Sequence, residues 1–351
     1  MSWVTALARP EIAALKPYAH AAWEPELTRL HANELPWRAP GDDSRAGLNR
    51  YPEPQPRALI ERLAALYRVR PEQVLAARGA DEAIDLLIRT FCRAGHDAVL
   101  VCPPTFGMYA IAAAIQGAQI VSVPLLPAEN FALDEPALLR SCAPRVKIVF
   151  LCSPNNPTGN VLDESAILRI AAALEGRSLV VVDEAYVEFA AAESLTRHLP
   201  QLPNLAILRT LSKAHGLAGA RCGALIAHDD VITLITRIIP PYAITQLTLE
   251  AVLRLLEPPQ LEASALRIAT LRSERERVSQ VLVTLQGVVR VWPSAANFLL
   301  AEFTDPDDAL RRAREADLLV RDVRTYAGLA AALRITLGTP SQNSRLLQAW
   351  S

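Results

Sequence analysis

The chain has 351 residues, of which 51% are hydrophobic and 21% are charged, which is enough apolar material for a large buried core. The formal net charge of −1 argues against a nucleic-acid-binding protein, and the short apolar runs argue against a membrane protein. Five scattered cysteines without a C-x-x-C pair argue against a disulfide framework and against a metal site. Arg9 and Glu11 interrupt the N-terminus where a signal peptide would be apolar, so we predict a cytoplasmic protein.

Three regions follow one another along the chain. Residues 1–45, rich in proline and tryptophan, are predicted to form an N-terminal arm that is part of a smaller domain. Residues 46–240 alternate short apolar runs with helix-like segments, which is typical of buried parallel strands under helices. Residues 241–351 contain a long amphipathic interdomain helix followed by strand-like runs, which predicts the smaller α+β domain. The predicted fold class is therefore α/β, with a mostly parallel sheet flanked by helices.

Five apolar runs in the large region are predicted to be strands. They are Ala98–Val101, Ile148–Leu151, Leu179–Val182, Leu205–Leu208 and Ala224–Ala227. Polar segments follow three of them directly: CSPNNPTG, DEAY and RTLSK. Because ligands gather at the carboxyl ends of parallel strands, we expect the polar residues to meet at one edge of the sheet. This set comprises Asn156, Asp183, Tyr186, Thr210, Ser212, Lys213 and Arg221.

Lys213 is one of only three lysines in a chain with thirty-three arginines. A lysine can lose its proton in a buried cationic site and become an amine nucleophile, whereas an arginine stays protonated. The set combines this amine with an acid, a phenol, an amide and a cluster of hydroxyls beside an arginine. These groups match the aldehyde, ring nitrogen, phenolate and phosphate of pyridoxal phosphate. The sequence therefore predicts a site for this cofactor.

Each residue of the set is predicted to serve one group of the cofactor. Lys213 bonds to the aldehyde carbon and is the predicted catalytic residue. Asp183 keeps the ring nitrogen protonated, while Tyr186 and Asn156 bind the phenolate. A third group binds the phosphate, and it comprises Arg221, Thr210, Ser212 and the amides of Ala80 and Asp81 at a helix start.

Taken singly, these residues have simpler interpretations. A lysine in a loop is usually solvated, an aspartate after a strand often caps a helix, and Asn156 can stabilise its own turn. Arg321 and Arg334 are two of thirty-three arginines, and an arginine by default forms a surface ion pair. It is the joint occurrence of these residues at the strand ends that favours a cofactor site.

At these motifs the chain resembles the pyridoxal-phosphate-dependent aminotransferases related to aspartate aminotransferase, and among them the histidinol-phosphate aminotransferases. Seven blocks carry the resemblance in the family's order: LNRYPEP, RGADEAIDLLIRTFC, CPPTFGMY, CSPNNPTG, VVDEAYVEF, LRTLSKAHGLAGARCG and LRITLG. The resemblance covers residues 15 to 339. It implies the fold type I architecture, with a mostly parallel seven-stranded sheet, and a homodimer.

The resemblance also implies roles for residues away from the strand ends. Phe106 would stack on the cofactor ring, and Tyr51 would reach the cofactor phosphate in the partner subunit's site. Arg334 would bind the carboxylate or phosphate of the substrate. Three more residues are implied in substrate binding: Arg321, Tyr18 and Asn33.

The reaction implied is transamination of L-histidinol phosphate with 2-oxoglutarate, giving imidazole-acetol phosphate and L-glutamate in histidine biosynthesis. An aromatic amino-acid aminotransferase and a threonine-phosphate decarboxylase are alternatives with the same cofactor residues. A non-catalytic pyridoxal-phosphate-binding regulatory module is a third. Leu35 in the arm and His215 near Lys213 depart from the family pattern. We expect no nucleic acid, membrane or metal among the partners.

Overall fold

The computed structural model describes residues 3–24 and 26–351, and its strands form two sheets. The larger sheet contains β1 (Val74–Ala77), β2 (Ala98–Val101), β3 (Gln119–Ser122), β4 (Val146–Cys152), β5 (Leu179–Asp183), β6 (Leu205–Thr210) and β7 (Gly223–Ala227). The smaller sheet contains β8 (Val288–Val291), β9 (Phe298–Phe303), β10 (Arg321–Asp322) and β11 (Ala332–Thr336).

Helices surround both sheets. They are α1 (Trp3–Leu7), α2 (Pro10–Ala13), α3 (Arg57–Tyr67), α4 (Ala80–Phe91), α5 (Met108–Gln116), α6 (Glu135–Ser141), α7 (Glu164–Ala173), α8 (Asp229–Thr236), α9 (Gln246–Leu255), α10 (Pro258–Leu282), α11 (Pro306–Glu315) and α12 (Pro340–Trp350). In the part of the chain that the structure describes, no helix combines the length and the apolar character needed to cross a membrane.

The strand order of the larger sheet is β1-β7-β6-β5-β4-β2-β3. Only β7 runs antiparallel to its neighbours, β1 and β6. Its reversed direction places the first residue of β7 at the edge where β4, β5 and β6 end, so Thr210 pairs with Gly223. The predicted α/β class with a mostly parallel seven-stranded sheet is confirmed.

The central strands are buried on both faces, as their continuous apolar runs predict. Every residue of β5, β6 and β7 is buried. One face packs against α3, whose Leu59 and Leu63 are fully buried, and the other packs against α4 through Ile84 and Leu87. Each such side chain contributes roughly 1.5–3 kcal/mol by leaving water. These helices therefore hold the strands in place from both sides.

The smaller sheet is antiparallel, in the order β10-β11-β9-β8. Side chains alternate between its faces, as in any strand. Leu299, Ala301 and Leu333 form a local core with α10, α11 and α12. On the other face, Phe298 packs against Tyr186 of the large region. The second face is therefore turned toward the edge where β5 ends.

The first helix of the N-terminal arm packs beside the larger sheet. Val4 and Leu7 of α1 belong to the same core as Leu75 and Val231, because α1 lies against α8 beside the larger sheet. Beyond residue 240, α9 also packs against α3 of the large region. Both segments therefore contact helices of the large region. The division of the chain at residues 45 and 240 stays a prediction.

Candidate active site

A cavity of about 390 Å³ lies between the carboxyl edge of the larger sheet and the smaller sheet. Twelve of the fifteen residues predicted for the site line it: Ala80, Asp81, Phe106, Asn156, Asp183, Tyr186, Thr210, Ser212, Lys213, Arg221, Arg321 and Arg334. Five residues that were not predicted also line it: Cys152, Ala185, Ala218, Val323 and Tyr326. The roles of these residues stay predictions, but the structure brings all twelve together.

Lys213 follows β6 in a loop and lines the cavity, where its side chain is exposed to the open space. Burial and the positive charges of Arg334 and Arg221 lower the pKa of Lys213, although two carboxylates oppose them. The amine is therefore neutral more often than that of a solvated lysine, and a neutral amine is the reactive form. Its Nζ atom lies 6.0 Å from the centroid of the Tyr186 ring.

Asp183 ends β5 with its side chain almost fully buried in the cavity wall. The Tyr109 hydroxyl donates to Asp183 Oδ2 at 2.7 Å, and the Ala185 amide donates to Oδ1 at 3.1 Å. Burial raises the pKa of Asp183 to about 6, and the two hydrogen bonds counteract this rise. The carboxyl is therefore held by two donors while it still faces the cavity.

Tyr109 is a residue that the sequence analysis missed. It lies on α5, three residues after Phe106, within the motif CPPTFGMY. Phe106 lies before the start of α5, so helical spacing does not relate the two residues, and no local pattern distinguished Tyr109 from an ordinary core aromatic residue. The rings of Phe106 and Tyr109 meet edge to face with centroids 5.6 Å apart.

A cluster of donors forms one end of the cavity. Thr210 Oγ1 lies 3.0 Å from Ser212 Oγ, and Arg221 Nη1 lies 3.4 Å from the same oxygen. Arg221 has a left-handed backbone with φ of 52°, which is a strained conformation held by the surrounding structure. A hydroxyl pair beside a guanidinium is suited to a phosphate group.

Helix α4 begins at the same end of the cavity. Gly223 allows this approach, because a Cβ there would lie 3.0 Å from the Ala80 amide nitrogen and 2.7 Å from a carbonyl oxygen of β6. The start of α4 therefore lies beside the cluster of Thr210, Ser212 and Arg221, and a helix N-terminus favours an anion.

Arg334 on β11 enters the cavity from the smaller sheet. Its Nη1 donates to Asn156 Oδ1 at 2.5 Å, and its guanidinium lies 5.3 Å from the centroid of the Phe298 ring. Asn156 Nδ2 in turn lies 3.5 Å from the Tyr186 hydroxyl. Burial lowers the pKa of Arg334, because water solvates its charge poorly there. Its Nε is buried and has no hydrogen-bond partner among the described residues.

Arg321 on β10 is the direct cross-strand partner of Arg334. Directly opposed residues of an antiparallel pair point to the same face, and two like charges in this arrangement repel each other. In residues 3–24 and 26–351, neither guanidinium has a carboxylate within 4.0 Å. The pair is therefore arranged for an anion that would enter the cavity between the two sheets.

Three predicted residues do not line this cavity. Tyr51 stacks on Tyr242 with centroids 4.5 Å apart, and it lines a separate surface cavity together with Asn33. Tyr18 is 71% exposed. Tyr51 is predicted to serve the partner subunit's site. Its position outside the cavity of its own chain is compatible with that role, which stays a prediction.

His215, which departs from the family pattern, lies outside the cavity in a buried charged cluster behind Lys213. Arg209 is the centre of this cluster, with Nη1 3.3 Å from Glu184 Oε2 and Nη2 2.7 Å from Glu188 Oε1. His215 Nε2 lies 3.8 Å from the same Glu188 oxygen. The cluster joins the residues next to Asp183 and Thr210, so it supports the cavity wall from behind.

Residues 31–349 match the model of the family described as aminotransferase class I and II. The chain belongs to this family. It is 49% identical over 322 residues to the histidinol-phosphate aminotransferase of Xanthomonas euvesicatoria pv. vesicatoria (strain 85-10), which covers 91% of this chain and 88% of that protein. It is 46% identical over 353 residues to the histidinol-phosphate aminotransferase of Stenotrophomonas maltophilia (strain R551-3), which covers 99% of this chain and 96% of that protein.

A solved structure supports the same aminotransferase fold. The histidinol-phosphate aminotransferase from Sinorhizobium meliloti, crystallised in complex with pyridoxal-5'-phosphate, superposes with a TM-score of 0.78 at 23% identity. The match covers 86% of this chain and 82% of that one. Among the described residues, no group of three or more His, Cys, Asp or Glu side chains is arranged to hold a metal ion.

Proposed function

We propose that the chain transfers the amino group of L-histidinol phosphate to 2-oxoglutarate, giving imidazole-acetol phosphate and L-glutamate in histidine biosynthesis. The observation that carries this proposal is the opposed pair of Arg321 and Arg334, which faces the same cavity as the Lys213 amine. Such a pair suits a substrate that carries a phosphate or carboxylate next to its reacting carbon. The relatives named histidinol-phosphate aminotransferase, at 46% and 49% identity, support this substrate.

The cofactor is pyridoxal phosphate, and the residues of the cavity fit it. A lysine amine, a buried carboxyl, a phenol with an amide, and a hydroxyl–arginine cluster are present in one cavity of about 390 Å³. When bound, pyridoxal phosphate withdraws electrons from the substrate α-carbon and makes its proton acidic. Phe106 offers an aromatic face at the cavity wall, and Arg221 with Ser212 binds the phosphate group.

The chain's own residues then move and hold protons. Lys213 Nζ would remove the proton from the substrate α-carbon as a base and, as an acid, would deliver it to the former aldehyde carbon of the cofactor. Asp183 would keep the ring nitrogen protonated, since its buried carboxylate lines the cavity and can pair with a cationic ring. Tyr186 and Asn156 bind the ring oxygen, and Arg334 holds the anionic group of the substrate.

The test is a coupled transamination assay with histidinol phosphate, phenylalanine and threonine phosphate as competing substrates. We expect glutamate formation from 2-oxoglutarate to be fastest with histidinol phosphate. Faster turnover of phenylalanine would assign an aromatic aminotransferase instead. Release of carbon dioxide from threonine phosphate would assign a decarboxylase, and no turnover with any substrate would favour a regulatory module.

The two arginines are predicted to divide the substrates between them. Arg334→Ala should slow the half-reactions with glutamate and with histidinol phosphate alike, because its fork can bind either anion. Arg321→Ala should mainly slow the histidinol-phosphate half-reaction, since a phosphate has more charge and more oxygens to satisfy. We expect a loss of about 1.5–3 kcal/mol for each charge-assisted hydrogen bond removed, or roughly 10- to 150-fold. Single-turnover measurements with each substrate check this.

Arg324→Ala is the matched control for these two variants, because Arg324 is close in sequence but is paired with Asp322 and Asp307 on the surface. It should leave both half-reactions unchanged. Equal damage to the two half-reactions by Arg321→Ala would contradict the proposed division, as would an Arg334→Ala variant with normal glutamate turnover. Tyr18→Phe offers a further comparison and should weaken histidinol phosphate more than glutamate.

We further propose that the enzyme is a cytoplasmic homodimer whose sites are shared between subunits. The arm and the adjoining segment expose large apolar side chains, with Leu30 90% exposed, Trp37 73% and Tyr18 71%. Apolar surface of this kind is characteristic of an interface. In this arrangement Tyr51 of each subunit serves the site of the other.

Mixing two inactive variants tests the shared site. In a heterodimer of Tyr51→Phe and Lys213→Ala subunits, one site carries both lesions and the other carries none. We expect activity to return toward the level set by the number of intact sites when the variants are mixed under conditions that exchange subunits. If heterodimers form, as native mass spectrometry would establish, and activity does not return, each site is complete within one subunit.

A further inference from the structure

Tyr109 is the one side chain that donates a hydrogen bond to Asp183 among the described residues. Its ring is fully buried on α5 and stacks on Phe150 with centroids 4.8 Å apart and planes 3° apart. It also meets Phe106 edge to face. Its position is thus determined by two aromatic contacts, and the hydroxyl is held 2.7 Å from Asp183 Oδ2.

The surroundings of Asp183 oppose its ionisation. The carboxyl is buried, which favours the neutral acid and raises its pKa. Five groups face it: Tyr109 from α5, Cys152 from β4, Tyr186 from the segment after β5, Asp81 from α4 and Lys213 from the loop after β6. Burial raises the pKa of Tyr186, so its phenol stays neutral. Burial also raises the pKa of Cys152, so its thiol stays neutral. Asp81 favours the neutral acid by its like charge, whereas Lys213 and the Tyr109 hydroxyl favour the carboxylate.

We propose that Tyr109 is the positioning residue for Asp183: its hydroxyl keeps the carboxylate ionised and oriented, so that a proton shared with the cofactor's ring nitrogen stays on the nitrogen. A hydrogen-bond donor on Oδ2 reduces the basicity of the whole carboxylate. Without it, Asp183 competes more strongly for the shared proton and takes it as a neutral acid. The protonated ring, on which transamination depends, is then lost although Asp183 is still present. The second half of this inference rests on the proposed function, whereas the effect on Asp183 itself does not.

The first experiment uses the 351-residue chain before pyridoxal phosphate is added. The infrared C=O stretch of the protonated Asp183, assigned by its absence in Asp183→Asn, gives the pH midpoint of this carboxyl. Tyr109→Phe retains the stacked ring and should raise the midpoint by about 1 to 2 pH units, as expected for losing a hydrogen bond to a charged group. Because the acid is the favoured buried form, the folded chain gains stability from Asp183 protonation as the pH falls through this midpoint, and the gain begins at higher pH in the variant.

Tyr67→Phe is the matched control. Tyr67 is also a buried tyrosine packed on the larger sheet, but its hydroxyl has no hydrogen-bond partner among the described residues. Its ring lies under Arg209, away from the cavity. Removing this hydroxyl should leave the midpoint of Asp183 unchanged. If Tyr109→Phe does not fold, Tyr109→3-fluorotyrosine replaces it, since its more acidic phenol is a stronger donor and should lower the midpoint.

The second experiment adds pyridoxal phosphate whose ring nitrogen carries an NMR-active isotope. In the wild type and in Tyr67→Phe, we expect the signal of a protonated nitrogen. In Tyr109→Phe it should move toward that of neutral pyridine, with no such movement when the change is made in an Asp183→Asn background. An unchanged carboxyl midpoint and an unchanged nitrogen signal in Tyr109→Phe would overturn the inference. Failure of the wild type to bind pyridoxal phosphate would refute the proposed function instead, while the ligand-free midpoint would still decide whether Tyr109 controls Asp183.

Discussion

Lys213→Ala should abolish both half-reactions and the covalent attachment of pyridoxal phosphate. No other amine is available in the cavity, because Lys213 is the sole lysine among its lining residues within the described chain. General acid–base catalysis by a positioned group contributes about 10² to 10⁴ in rate, and loss of the nucleophile removes more. Peptide mapping after borohydride reduction of the cofactor-loaded protein should find the label on Lys213 in the wild type and no label in the variant.

Lys16→Ala is the control for this variant, since Lys16 is an exposed lysine of the arm. It should retain the covalent label and normal turnover. The assignment of Lys213 would be refuted if borohydride labelled Lys16 or Lys147 in the wild type. Retained transamination in Lys213→Ala would be equally decisive against it.

Asp183→Asn should lower transamination by orders of magnitude while the cofactor still binds through its phosphate group. The change keeps the shape of the side chain and removes its charge, so a ring nitrogen that carries a proton would lose its ionic partner. Breaking a buried ion pair costs about 3–5 kcal/mol, which corresponds to a rate loss of roughly 10² to 10⁴ if the protonated ring is the reactive form. Rates of the separate half-reactions and cofactor binding, measured on the same preparations, check the two parts of this expectation.

Asp134→Asn is a suitable control, because this aspartate caps α6 by accepting from the Ala137 amide at 2.9 Å, away from the cavity. It removes the same charge and should leave turnover unchanged. Near-normal rates in Asp183→Asn would contradict the proposed role of Asp183. So would a loss of activity that is fully explained by loss of cofactor.

The strand ends were predictable because apolar runs and the polar residues after them are both local patterns. Asp183 and Thr210 end β5 and β6, and Lys213 follows, as the sequence predicts. Two strands of the larger sheet were missed, Val74–Ala77 and Gln119–Ser122. Gln119–Ser122 is largely exposed at the sheet edge and has no buried apolar run, whereas Val74–Ala77 is as short and as fully buried as the predicted strand Ala98–Val101, so its pattern was available.

Long-range contacts could not be predicted from local patterns. The hydrogen bond between Tyr109 and Asp183 joins residues 74 positions apart. From the sequence alone, Tyr109 is indistinguishable from any other buried aromatic residue. The packing of α1 on the larger sheet is of the same kind, because an apolar arm indicates that it will be buried but not on which surface. The pairing of Arg321 with Arg334 depends on the register of β10 and β11, which spacing alone does not determine.

The cavity walls come from two separate sheets, with Arg221 and Ser212 on one side and Arg321 and Arg334 on the other. A ligand that contacts both sides acts as a non-covalent cross-link between them. The free energy of unfolding should therefore rise with the logarithm of ligand concentration, by about 2.7 kcal/mol at a hundred times the dissociation constant. In a cell, the lifetime of the protein against proteases would then follow the supply of its own cofactor and substrates. Starvation for either would shorten the lifetime of the protein as well as slow the reaction.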